Sequence, residues 1–93
     1  NNVVLAGRYV SLKKDTMTLS ITITKGDEKQ DTLLIPIILN NILLKHVKEY
    51  VSKGDVVGVK GYLDNKNKSL ICVAEKIIFL LITRGNGNHV SCF

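Results

Sequence analysis

The side chains best suited to chemistry in this chain are cations spaced along it: Arg8, Lys13, Lys14, Lys25, Lys29, Lys60, Lys66 and Lys68. An ammonium or guanidinium neutralises a phosphate without needing a companion group. A site for an unpaired strand usually adds flat rings on which bases stack. Rings are scarce here, with three Tyr, two Phe and no Trp, so charge must carry more of any such binding than stacking does. Tyr62 is the best placed of them. Alternation sets Gly58, Lys60 and Tyr62 on one face of a strand and Val57, Val59 and Leu63 on the other, inward one. A cation then stands beside a ring on an exposed surface. That surface suits a phosphate and its base; it also suits a subunit contact, where Tyr is favoured. Tyr9 flanks Arg8 and is expected to face solvent, unless a bulge at Gly7 reverses the parity. Tyr50 and Phe79 read as core.

Other chemistries find little support. His46 lies among lysines, and no nucleophile has a base at a convincing spacing. His89 and Cys92 make two candidate ligands, too few for a structural zinc site. Asp27, Glu28 and Asp31 share one loop and read as a solvated charge cluster. Phosphate-cradling glycine motifs are missing. The expectation is a chain with no catalytic residues, no metal and no cofactor.

Ninety-three residues make one domain, and 45% hydrophobic content with many β-branched residues favours sheet over disorder. Thirteen Lys and Arg against eight Asp and Glu leave a net charge of +5, which favours polyanions: nucleic acid first, an acidic membrane surface second. Cys72 and Cys92 form no disulfide framework. The N-terminus has no signal-peptide pattern, and the run Ile77 to Ile82 is too short to span a bilayer. A cytosolic location is expected.

Five strands and a helix must hold these residues. Val3 to Leu12 is the first strand and Lys13 to Asp15 its turn. Met17 to Thr24 alternates cleanly: Met17, Leu19, Ile21 and Ile23 point inward, while Thr18, Ser20, Thr22 and Thr24 make an ordinary solvent face. Thr32 to Leu39 is the third strand, and Pro36 demands an edge or a bulge there. Asn40 and Asn41 can cap a helix whose stripe is Leu43, Val47, Tyr50 and Val51, with Gly54 as its stop. Val56 to Asp64 and Leu70 to Ile82 complete the strands. Residues 1–82 form the domain, and residues 83–93 read as a mobile C-terminal tail. Three strands, a helix and two strands fit an all-β, five-stranded OB-fold barrel with one α-helix between strands 3 and 4. Internal glycines 7, 58 and 61 suit the bends of a small barrel. An α+β sandwich is the rival architecture. In an OB-fold the elements carrying these cations border the binding face.

In that order, three stretches resemble the bacterial single-stranded DNA-binding protein family. "NNVVLAGRYV" is similar to its opening strand through Asn2, Val3 or Val4, Leu5, Gly7 and Arg8. "VKEYVSKGDVVGVKGYL" resembles its helix end and fourth strand through Tyr50, Val51, Lys53, Gly54, Val57, Val59, Gly61 and Leu63. "ICVAEKIIFL" resembles its closing strand. The resemblance spans residues 2 to 81. It implies a non-catalytic protein that coats single-stranded DNA during replication, repair or recombination. It also implies a homotetramer or homodimer, replication or repair proteins as partners, and a cytoplasmic, nucleoid-associated location. The chain departs from the family pattern where a Trp usually precedes the helix, here "LLIPIIL", and where Phe-Gly starts it, here Asn40-Asn41. The loop after the fourth strand, "DNKNK", lacks the frequent aromatic, and the tail lacks the acidic tip. Two other functions fit the same fold: a protein-interaction or assembly module, and an RNA-binding OB domain with weak or no binding to single-stranded DNA.

Overall fold

The computed structural model describes residues 1–26, 29–82 and 89–91, with only the backbone given for Lys25 and for 89–91. The order is β1 (Val3–Lys13), β2 (Thr16–Lys25), β3 (Lys29–Ile38), α1 (Asn41–Tyr50), β4 (Val56–Lys66), β5 (Ser69–Ile82) and β6 (His89–Ser91). The strands lie in the order β3-β2-β1-β4-β5-β6, and β3 also pairs with β5. That last pairing is parallel, through Ile37 with Cys72 and Ile38 with Val73, and it closes the first five strands into a barrel. The fold is the expected OB-fold barrel with its helix between strands 3 and 4. The additional strand β6 pairs antiparallel with the end of β5. The remaining residues of the expected tail, 83–88 and 92–93, lie outside the described residues, as do Asp27 and Glu28.

Alternation builds the core. Met17 and Leu19 from β2, Ile37 from β3, Val57 and Val59 from β4, and Ile77 and Leu80 from β5 are all fully or almost fully buried. Each such side chain contributes about 1.5–3 kcal/mol relative to exposure. The helix closes the barrel with Leu43 and Val47. Its start is fixed by Asn40, whose Oδ1 accepts the Leu43 amide at 2.9 Å. After Tyr50 the backbone is already extended at Val51, and Gly54 turns at φ 94. The turn is held by buried Asp55, whose carboxylate accepts the Ser52 amide at 3.0 Å. β1 is stitched to this turn by the Tyr9 amide to the Asp55 carbonyl at 2.8 Å and the Gly54 amide to the Tyr9 carbonyl at 2.9 Å.

Several positions differ from the alternation expected of them. Tyr50 shares the stripe of Leu43 and Val47 but is 50% exposed, because it sits in the final turn and overhangs the core. Its ring lies 6.3 Å from that of His46. Leu63 has inward parity yet is exposed, because β4 and β5 continue past the barrel as a two-stranded arm. Phe79 is half-buried, on the outer face over Gly58, where any Cβ would collide with its ring. The reason is a pair of bulges in β5. Gly58 pairs with Phe79 but Val59 with Ile77, and Lys60 pairs with Lys76 but Gly61 with Ala74. Ile78 and Glu75 are the extra residues, and each resets which side chains face inward.

The β1 bulge falls at Val10 rather than Gly7. Gly7 is instead a close approach: a Cβ there would stand 2.7 Å from the Ser20 carbonyl oxygen. Gly61 is tighter, with the Val73 carbonyl in the way. Pro36 stands opposite Thr18 of β2, one residue before β3 meets β5. Up to that point β3 has a strand on one side only, the edge position that proline needs.

Candidate nucleic-acid interface

Closure of the barrel aligns residues far apart in sequence. Following the register around the wall, Lys13 of β1 pairs with Thr16 of β2, Thr16 with Ile38 of β3, Ile38 with Val73 of β5, and Val73 with Tyr62 of β4. The adjacent row contains buried Met17, Ile37 and Cys72, so the Lys13–Tyr62 row faces outward. Four strand spacings make it about 19 Å long. One end is a cation and the other a ring, with the half-buried Ile38 and Val73 as an apolar floor between. A cleft of about 440 Å³ opens at the Tyr62 end, lined by Ile38, Leu39, Asn40, Tyr62, Val73, Ala74 and Glu75. Tyr62 is 38% exposed, so one part of its ring packs on the barrel and another meets solvent. A cation at one end of the row and a ring at the other can contact a phosphate and a base of different nucleotides of one strand that follows the wall.

Two hairpin ends extend this surface. Lys14 turns β1 into β2 with φ 56, beside Lys13. At the far end of β4, Asn67 and Lys68 have φ 52 and 66, the two left-handed residues of a type I′ turn. Lys66 and Lys68 therefore sit at the tip of the β4–β5 arm, exposed. The base of that arm is tied to the N-terminus: the Leu63 amide donates to Asn1 Oδ1 at 2.8 Å, and Asn1 Nδ2 donates to the Leu63 carbonyl at 3.3 Å.

The other expected site residues divide differently. Arg8 is exposed on the outer face, but its Nη1 donates to the Gly54 carbonyl at 2.8 Å, bracing β1 against the turn before β4. Tyr9 turns inward: it pairs with Leu19 and packs against the core, and burial raises its pKa. Lys29 pairs with Lys25 where the β2–β3 hairpin ends, away from the Lys13–Tyr62 row; the Lys25 side chain lies outside the described residues. Lys60 is exposed, two residues before Tyr62 on the same face. Opposite it stands Lys76, also exposed, a cation that strand alternation alone does not bring to this face. Only the cross-strand register reveals this pairing, because the Glu75 bulge shifts it.

Thr18 and Ser20 are half-buried and Thr22 and Thr24 exposed, so the threonine face is partly covered near the barrel and open on the β2–β3 hairpin. Among the described residues no cluster of three or more His, Cys, Asp or Glu could hold a metal. No helix among them is long and apolar enough to cross a membrane.

A closed five-stranded barrel with basic hairpin ends and a ring-bearing row places the chain in the OB-fold class. No protein-family model and no curated protein matches its sequence. Its structural neighbours are single-stranded DNA-binding proteins. The small single-stranded DNA-binding protein of Mycoplasma pneumoniae superimposes with a TM-score of 0.61 at 25% identity, over 83% of this chain and 90% of that one. The mitochondrial single-stranded DNA-binding protein of S. cerevisiae gives 0.61 at 24%, over 83% and 89%. The Plasmodium falciparum protein in complex with single-stranded DNA gives 0.60 at 17%, over 100% and 94%.

Proposed function

We propose that this chain binds single-stranded DNA without sequence preference and without catalysing a reaction. The observation that carries this reading is the outward row from Lys13 to Tyr62, flanked by the basic ends of the β1–β2 and β4–β5 hairpins. Lysine neutralises phosphates of any sequence, and one ring stacks on any base. Likeness in fold to single-stranded DNA-binding proteins supports the same reading. In a cell the chain would coat exposed strands during replication, repair or recombination, in the cytoplasm alongside the nucleoid and in contact with other proteins of those processes. Residues 83–93 would act as a C-terminal tail to the barrel.

Assembly into homodimers or homotetramers belongs to this proposal. The outer face of the β1–β4–β5 sheet carries Val4, 63% exposed, then Ala6 and the Phe79 ring over Gly58. These apolar side chains, on a face that also carries Arg8, Lys60 and Lys76, favour packing against a second copy.

The test is fluorescence anisotropy with labelled oligothymidine, oligouridine and a duplex of equal length, across a range of salt. Tight binding to oligothymidine that falls steeply with salt, and weaker binding to the duplex, is expected. No binding at low salt would favour an assembly module instead. Preference for oligouridine would identify an RNA-binding domain, because the 2′-hydroxyl is what such a site senses.

A further inference from the structure

We infer that the path of a bound single strand continues past Tyr62 onto helix α1, where Lys45 and Lys48 hold two further phosphates. The inference rests on the proposed binding of single-stranded DNA and extends the surface which that binding uses.

A groove of about 410 Å³ follows α1, lined by Asn41, Leu44, Lys45, Lys48 and Glu49. These positions recur at the spacing of one helix face and span most of an element about 15 Å long. Asn40, the residue before, lines the Tyr62 cleft, so the two hollows meet at consecutive residues. That junction is held in place: Asn40 Oδ1 accepts the Leu43 amide at 2.9 Å, and the Asn40 carbonyl accepts the Leu44 amide at 2.8 Å. All five lining residues belong to the helix, and none to the face of Val4, Ala6 and Phe79. Packing of a second copy on that face therefore leaves the groove free.

The charges along the groove suit a phosphate backbone. Lys45 and Lys48 are exposed and lie one turn apart. Among the described residues neither is in an ion pair. Leu44, half-buried and packed on the core, gives the groove an apolar floor. The first turn of α1 holds no acidic residue, so the positive end of the helix dipole is left to attract an arriving anion. Glu75 lines the cleft on the β5 side, where its carboxylate repels phosphates and turns the backbone towards the helix. Glu49, one turn beyond Lys45, is the only carboxylate in the groove and marks where the path ends.

The test uses the full chain and its Lys45→Gln, Lys48→Gln and double variants. Lys53→Gln, which removes an exposed cation beyond the helix end and outside the groove, is the control. Glutamine matches lysine in helix propensity, so thermal unfolding should be unchanged in all four. Binding is measured against salt with oligothymidines of about 4 and about 16 nucleotides, the ends of the usual range for one OB-fold. Each single-strand phosphate contact contributes about −0.7 to the slope of log affinity against log salt. With the longer oligomer the double variant should lose about 1.4 of slope, which is about 25-fold in affinity at 0.1 M salt relative to 1 M. The shorter oligomer, held at the Tyr62 row, should bind all variants as it binds the parent. Equal losses for Lys53→Gln would mean that overall charge is being read, and would overturn the path. So would an equal loss with the shorter oligomer, or groove variants that bind the longer one like the parent. A labelled polyglutamate peptide, bound by the parent and released by variants that keep their oligothymidine affinity, would assign the groove to an acidic protein segment instead. Failure of the parent to bind either oligothymidine overturns both the path and the function it rests on.

Discussion

Replacing Tyr62 with Leu separates stacking from charge. The ring is 38% exposed and lies outside the buried core, on the row opposite Val73. Its loss should therefore cost the fold no more than about 1 kcal/mol, the span of strand-surface substitutions. Loss of a stacking platform costs about 1–3 kcal/mol per base, roughly 5- to 150-fold in affinity. Tyr62 holds no phosphate, so the salt slope should stay as in the parent while the whole binding line drops. Tyr62→Phe keeps the ring and should bind within about twofold of the parent. The assay is anisotropy with labelled oligothymidine at several salt concentrations, with thermal unfolding of each variant in parallel. If Tyr62→Leu binds as the parent does, the row from Lys13 to Tyr62 is not where a base rests. A lowered slope at unchanged low-salt affinity would contradict the assignment of Tyr62 to stacking.

Three further outcomes follow from the packing. Gly61→Ala drives a Cβ into the Val73 carbonyl and should destabilise by about 2–3 kcal/mol, read by urea unfolding. Lys68→Gly relieves a left-handed lysine at φ 66 and should add about 1 kcal/mol of stability while weakening oligothymidine binding through the lost charge. Burial raises the Cys72 thiol and the Tyr9 hydroxyl above their ordinary values of 9.0 and 10.0. The fold therefore favours their neutral forms. Their contribution is complete below those ordinary values and is lost as pH rises through the higher folded ones, so chemical-denaturation stability should decline in alkali. Cys72→Ala should flatten part of that decline, and a pH-independent stability above 9 would contradict it.

Much of the barrel is legible in the amino acids because its signals are local. Met17 to Thr24 alternates, Asn40 caps, Gly54 stops, and each does so where the pattern puts it. What the sequence hides depends on register. Two inserted residues in β5, Glu75 and Ile78, reset its inward set to Cys72, Ala74, Ile77 and Leu80. No periodicity reading places Phe79 over Gly58, or Lys76 opposite Lys60, without knowing those insertions. Tyr50 and Leu63 have the right parity but lie where helix and arm overrun the core, and parity is silent about where a core ends. The glycines at 7 and 61 were legible as necessary, though for a different reason: neighbouring carbonyls leave no room for a Cβ. Alignment of Lys13 with Tyr62 needs the parallel contact that closes the wall, a contact between segments more than thirty residues apart.

That contact comprises two residue pairs, against the long antiparallel ladders elsewhere. Every other pairing within the barrel joins neighbours in sequence or runs along six rungs of β1 and β4. The cylinder thus has a seam, the place where amide protons near Cys72 and Val73 should exchange soonest when the wall breathes. The Lys13–Tyr62 row crosses it. A polynucleotide lying along that row would act as a staple, and slower exchange at those amides on adding oligothymidine would report the join being drawn shut.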